Sequence, residues 1–279
     1  MKPLRAACLL FWICSATAPC LAETREADSA YEQGNSLYLG KGVPKDPVKA
    51  REKLKTSADQ GNSKAKALLG LMLAQGIGGM KDEKAAALLL EEAAIAGDPG
   101  AQVNYGAMLQ QGRGVPKDLP AAIGWFDKAA SSGSVAGHVK LGELHYFGGD
   151  GVNADHAKAL PHIKAAAEGG NLWAQNTLGA MFESGQGTAS DRAGALVWYE
   201  KAARQGDVKA QANLGRLLRA GDAKEQDAIA AYPWLKIASL RGEMTARYSF
   251  ADLEASLTPE QRKQGEELTQ KLQQSLPGR

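Results

Sequence analysis

Apolar residues in this chain fall at helical spacing, in short segments punctuated by glycine. In Ala210-Gln211-Ala212-Asn213-Leu214-Gly215-Arg216-Leu217-Leu218 they recur every three or four residues, the period of an amphipathic helix. Runs alternating Val, Ile, Thr and Tyr at period two, the mark of a strand, do not occur. The segments also repeat. A Gly stands at Gly34, Gly70, Gly106, Gly142, Gly179 and Gly215, and a second Gly follows six residues after each. An Asp comes next in every copy, from Asp46 and Asp82 through to Asp227, and then an Ala, from Ala50 to Ala231. Each copy closes on Gly61, Gly97, Gly133, Gly170, Gly206 or Gly242. Self-similarity at one fixed period is the signature of a repeat architecture.

Each fixed position has a physical role. The segment through the first Gly predicts a helix, A. A Gly inside a helix costs about 1 kcal/mol against Ala, so its recurrence points to close approach of a neighbouring helix. The second Gly ends helix A in the left-handed conformation. The Asp is the expected N-cap of a second helix, B, accepting from free backbone N–H groups. Helix B carries the Ala and a large pair such as Trp125-Phe126 or Trp198-Tyr199. The closing Gly ends it, and Asn62, Asp98, Ser134, Asn171 or Asp207 then caps the next helix A. The unit is a helix hairpin of about 36 residues, which buries its apolar face only by stacking on its neighbours.

The copies run over about 27–62, 63–98, 99–134, 135–171, 172–207 and 208–243, with a partial copy over 244–256 that has Ala251 in place of the Gly. Residues 257–279 are expected to form a capping helix. Thr258-Pro259-Glu260-Gln261 opens it with a capping box, and Leu268, Leu272 and Leu276 give it an apolar stripe. About fourteen helices and one solenoid are expected.

The motif from Tyr105-Gly106 through Gly112-x-Gly114-Val115-x-x-Asp118 to Trp125-x-x-Lys128-Ala129-Ala130-x-x-Gly133 resembles the Sel-one-like repeat, a sub-class of the tetratricopeptide superfamily. The copies over 178–206 and 214–242 carry it as well, and the resemblance covers about residues 24–254. It implies an all-α fold, a right-handed α/α superhelix with a concave face made by the A helices. It also implies adaptors, scaffolds and exported regulators. Some exported relatives are cysteine-rich and linked to penicillin binding or β-lactam hydrolysis.

Residues 1–22 stand outside the pattern. Lys2 and Arg5 precede an apolar run from Ala6 to Ile13, Pro19 breaks it, and Cys20-Leu21-Ala22 offers small residues. This reads as a secretory signal peptide cleaved after Ala22, and so as a periplasmic or secreted protein. The run is short of the ~20 residues of a spanning helix, so no membrane insertion is expected after cleavage. All three cysteines (Cys8, Cys14, Cys20) lie in the leader, so the remainder holds no thiol and departs from the cysteine-rich relatives. Of 33 basic and 31 acidic residues, only Lys2 and Arg5 leave with it. The remaining balance of 31 to 31 carries no footprint for nucleic acid.

The Gly-x-Gly turns follow no strand and lack Gly-Lys-Ser/Thr, so they are inter-helix turns rather than phosphate loops. The slot of Trp125, Trp198 and Trp234 holds Leu89 in the second copy, which predicts core packing; Trp173, outside it, is a candidate anchor for a partner. All four histidines fall in the fourth copy. His145 and His162 replace Leu or aromatic residues of other copies, so they either face each other as a metal or pH site or form a hydrogen-bonded pair that fills the volume. No metal or cofactor is assigned. Gln102 and Asn104 recur as Gln175 and Asn176, then as Gln211 and Asn213, on successive A helices. Such amides either face a bound peptide or bridge neighbouring helices internally. No catalytic constellation is found. The expected function is a non-enzymatic adaptor that binds a protein or peptide in a groove. Alternatives are an immunity or inhibitor protein against a toxic effector and a β-lactam-active enzyme.

Overall fold

The computed structural model describes residues 17–220 and 225–276, with side chains from 25 to 220 and from 227 to 276. Residues 1–16, most of the expected leader, and Gly221, the expected end of the sixth helix A, lie outside the described residues. Among the described residues the chain folds into fourteen helices. These are α1 (Thr17–Leu39), α2 (Pro47–Asp59), α3 (Ser63–Gln75), α4 (Glu83–Ile95), α5 (Pro99–Gln111), α6 (Leu119–Ser131) and α7 (Val135–Phe147). They continue with α8 (His156–Glu168), α9 (Leu172–Ser184), α10 (Arg192–Arg204), α11 (Val208–Arg219), α12 (Glu225–Leu240), α13 (Met244–Ser256) and α14 (Pro259–Ser275). Odd-numbered helices through α13 are A helices; the even-numbered helices from α2 to α12 are B helices. The chain forms two compact units, one ending at Gly137 and the other starting at His138.

Punctuation residues set the helix ends. Asp46, Asp82, Asp118, Asp155 and Asp191 each accept the backbone N–H three residues on, at 2.9–3.0 Å. Asn62, Asp98, Asn171 and Asp207 cap A helices in the same way, and Ser134 Oγ accepts from Gly137 N. Each cap contributes about 1 kcal/mol. Asp227 departs from the pattern. Helix α12 starts at Glu225, so Asp227 is its third residue rather than its N-cap.

In the first unit α1 packs on α2, α3 on α4 and α5 on α6, while α2 meets α3 and α4 meets α5. In the second unit α9 packs on α10 and α11 on α12, while α8 meets α9 and α10 meets α11. The first Gly of each copy makes these hairpins tight. A Cβ built on it would lie 2.6–2.9 Å from a B-helix side chain: Leu54, Leu90, Phe126, Ile163, Tyr199 or Leu235. All six of these are almost fully buried, and each contributes roughly 1.5–3 kcal/mol of burial. The core position is therefore the residue after the Trp slot. Trp125, Trp198 and Leu89 stand half-buried at its shoulder, with Lys128 Nζ 3.8 Å over the Trp125 ring and Lys201 Nζ 4.8 Å over Trp198. Trp234 alone of the slot is buried.

The second glycine of the Gly-x-Gly turn ties one repeat to the one before. At Gly78, Gly114 and Gly187 the backbone lies against the first turn of α2, α4 and α8, so close that an added Cβ would lie 2.0–2.4 Å from the carbonyl oxygen of Pro47, Glu83 or His156. Arg113 reinforces this in the first unit, donating to Glu83 Oε1 at 2.8 Å and to the Ala74 carbonyl at 3.3 Å.

The terminal helix packs against α12 rather than pairing with α13 as a B helix. That explains Ala251: it is exposed, with no B-helix residue to admit. Helix α14 has the expected Thr258–Gln261 capping box. Its buried stripe is Gly265, Thr269, the partly buried Leu272 and Leu276, whereas Leu268 is exposed. The hydroxyl of Thr269 is satisfied by donating to the Gly265 carbonyl, which lets a polar residue take the inner face.

Candidate partner-binding face

Two kinds of amide that look alike along the chain separate in space. Gln102, Gln175 and Gln211 are buried. Each donates from Nε2 to a carbonyl eight residues earlier, at the end of the preceding B helix: Ala94, Ala167 and Ala203, at 3.2, 3.0 and 3.1 Å. Gln175 also accepts from Gln205 Nε2 at 2.8 Å. Each of these carbonyls also accepts the backbone N–H of the closing glycine, Gly97, Gly170 or Gly206, so the glutamine is a further donor at the helix C-terminus. The glutamines thus perform the internal bridging and do not line a surface.

The asparagines lie further around the helix and are half-exposed. Asn104 stands on α5 in the first unit. In the second, Asn213 on α11 donates to Asn176 on α9 at 3.0 Å. Asn176, one position out of register with Asn213, is the residue that meets it. Their single bond uses only part of what each amide offers, since a primary amide carries two donors and two acceptor lone pairs.

Three residues along α11 and seven along α9, the same face carries a second cross-tie. Arg216 donates to Glu183 Oε2 at 2.6 Å, and Tyr199 donates to the same oxygen at 2.8 Å. The Arg216 hydrogen bond holds the Glu183 carboxyl below the usual range, against a smaller opposing effect of burial. The Tyr199 phenol is pushed up, first by burial and then by its bond to that carboxylate. Tyr105 repeats the arrangement on Glu91 at 2.8 Å in the first unit, with burial as the larger cause and its pKa pushed up to about 12. Both phenols donate to a carboxylate.

Trp173, at the start of α9, is half-buried and meets Phe147 with ring centroids 6.2 Å apart. Phe147 is 64% exposed. Tyr146 packs edge-on to it at 4.9 Å and donates to Gln186 Oε1 at 3.1 Å. Phe147 escaped notice in the sequence, yet a signal was present. Its slot holds Leu39, Gln75, Gln111, Ser184 and Ala220 in the other copies, so the fourth copy alone places an aromatic at this exposed position.

The histidines do converge, with a different partner. His138 Nδ1 and His162 Nδ1 are 3.2 Å apart and share a hydrogen bond, while His145 stacks on His162 at 6.2 Å between centroids. His138 occupies the slot of Gln102, Gln175 and Gln211, which is the clue the sequence offered. Among the described residues no group of three His, Cys, Asp or Glu is placed to hold a metal ion, and no helix is long and apolar enough to cross a membrane.

Comparison with known proteins adds a family to this geometry. Sel1 repeats are matched over residues 27–62, 63–98, 99–134, 135–171, 174–207 and 208–243. A Sel1 repeat protein from Oxalobacter formigenes is 32% identical, with a TM-score of 0.68 over 77% of this chain and 88% of that one. The protective antigen c5321 of uropathogenic Escherichia coli, which displays an SLR fold, is 24% identical at a TM-score of 0.42, over 91% and 70%. The immunity protein Pa5087 from Pseudomonas aeruginosa is 21% identical at a TM-score of 0.47, over 82% and 83%. No curated protein matches the chain.

Proposed function

Because the chain belongs to the Sel1 repeat family, whose members are generally protein-interaction scaffolds, we propose that it is an exported, non-catalytic adaptor. It holds an extended segment of a partner protein along its A helices. The observation that carries this reading is the half-exposed amide pair Asn176–Asn213. Amides on successive helices have the chemistry to pair with a peptide backbone, which offers a donor and an acceptor at every residue. Asn104 offers the same chemistry in the first unit. In the second, Phe147 and Trp173 supply the apolar anchor that a polar groove needs to gain affinity. Export rests on the leader-like pattern of residues 1–22: Lys2 and Arg5, the apolar run from Ala6 to Ile13, Pro19 and Cys20-Leu21-Ala22.

The test is affinity capture from an envelope extract, comparing the wild-type protein with a variant carrying Asn104→Ala, Asn176→Ala and Asn213→Ala. The asparagines are the right probes, because changing the buried glutamines would weaken the fold itself. A partner retained by the wild type and lost by a folded variant supports the reading. A partner retained equally by both places binding elsewhere. Export is checked separately: N-terminal sequencing of the envelope form should begin at Glu23, and a protein confined to the cytosol with Met1 intact would overturn it.

A further inference from the structure

The fourth repeat differs from its sisters at two slots that meet in space. His138 takes the place of the buried glutamine, and His162 takes the shoulder slot of Trp125, Trp198 and Leu89. One is on α7 and the other on α8, both half-buried, with Nδ1 atoms 3.2 Å apart. Where sister repeats carry an amide–carbonyl tie or an aromatic with a lysine over it, this one carries two imidazoles aimed at each other.

That separation has a chemical meaning. Imidazole nitrogen binds zinc at about 2.0–2.1 Å, so two neighbouring ligands on one ion lie about 2.9 Å apart at a right angle and about 3.3 Å apart at the tetrahedral angle. The observed 3.2 Å lies between these values. We propose that His138 and His162 form a two-histidine chelate for a divalent d-block cation of the imidazole-preferring class (zinc, copper or nickel), with water completing its coordination. The ion replaces the proton that the two nitrogens share. It stands about 1.3 Å off the line between them, so each ring tilts to aim its lone pair, a motion along a soft torsion. Metal uptake therefore releases a proton wherever one ring is otherwise protonated. His145, its ring centroid 6.2 Å from that of His162, is not assigned as a ligand. With two protein ligands the coordination sphere stays open, so a partner's own side chain can complete it.

The experiment uses the protein without a polyhistidine tag. Zinc, nickel and copper(II) chlorides are titrated by calorimetry, and copper(II) is read by electron paramagnetic resonance for nitrogen ligation. The variants borrow from sister repeats, so the fold accommodates them: His138→Gln, as at Gln102, and His162→Leu, as at Leu89. His156→Gln controls for unspecific histidine binding. The expected result is one ion per chain with two nitrogen ligands, weakened at least about ten-fold by either slot variant and unaltered by the control. Each slot variant should keep the wild-type circular dichroism. Binding that survives both slot variants, or no saturable binding by the wild type, overturns the proposal.

Discussion

The Gly-x-Gly turn offers the sharpest test of how neighbouring repeats are joined, because two of its copies differ in a single respect. Gly42 and Gly114 have nearly the same left-handed backbone, φ +76 and φ +72. A methyl group at Gly42 would have nothing within 4 Å, whereas at Gly114 it would lie 2.0 Å from the Glu83 carbonyl oxygen and 2.4 Å from its carbon. Alanine at either site carries the left-handed strain, roughly 1–2 kcal/mol. Only Gly114→Ala must also move backbone away from backbone, and overpacking of that kind typically costs about 1–3 kcal/mol. The expected loss is therefore about 1–2 kcal/mol for Gly42→Ala and about 2–5 kcal/mol for Gly114→Ala. The larger figure is a substantial part of the 5–15 kcal/mol typical of a folded domain. Urea unfolding followed by circular dichroism at 222 nm measures both, with the slope checked for loss of two-state behaviour, since repeat arrays can melt in parts. Equal losses for the two variants would show that the close approach to α4 contributes nothing, and the account of repeat coupling given above would fail.

Three further outcomes follow from the geometry. Gln175→Ala removes the donor to the Ala167 carbonyl and the acceptor for Gln205, and should destabilise by about 1–3 kcal/mol in the same unfolding assay; a neutral effect would deny the bridging role. Arg216→Gln removes the chief cause holding the Glu183 carboxyl down. A depressed carboxylate stabilises the fold above its unfolded pKa, near the ordinary 4.5 of a glutamate, and that contribution fades as pH falls through the lower folded value. The variant should therefore lose less stability than wild type on acidification below pH 4.5. Parallel pH profiles for the two proteins would be the contrary finding. In the terminal helix, Leu276→Ala should lower the unfolding midpoint while Leu268→Ala changes stability by less than about 0.5 kcal/mol; the reverse order would contradict the assigned face.

Much of the fold was legible because each fixed residue type answers one backbone requirement. Asp and Asn at helix starts, Gly at helix ends and Gly at the close approach are dictated locally, and local rules are readable in one chain. The Trp slot and the α14 stripe were harder for one shared reason. Helical periodicity identifies the apolar side of a helix but does not separate its centre from its shoulder, about one residue away. Tyr199 and Trp198 both satisfy the period; only the position of Gly179 on the facing helix decides which one enters the core. Gln211 and Asn213 pose the same problem in polar form. Both are amides on one helix, and the preceding B helix, whose Ala203 carbonyl takes the Gln211 amide as a further donor, selects the glutamine for burial. Asp227 is an N-cap residue type inside a helix that begins two residues before it, which its own chemistry does not announce. The histidine pair was half-seen, because His138 was not aligned with the glutamine slot of its sister repeats.

The glycine on each A helix has a further consequence for how such a chain can vary. Opposite it stand Leu54, Leu90, Phe126, Ile163, Tyr199 and Leu235, six placements of four different shapes and one polar tip, yet every hairpin closes. The terminal helix uses the same device, with Gly265 set against the Tyr232 ring. A side chain reduced to hydrogen is a universal socket: it constrains the plug to be large but leaves its outline free. The hairpin's geometry is thereby uncoupled from the identity of its principal core residue, so that residue can drift, or acquire a hydroxyl that reaches a distant carboxylate, with no compensating change on the facing helix.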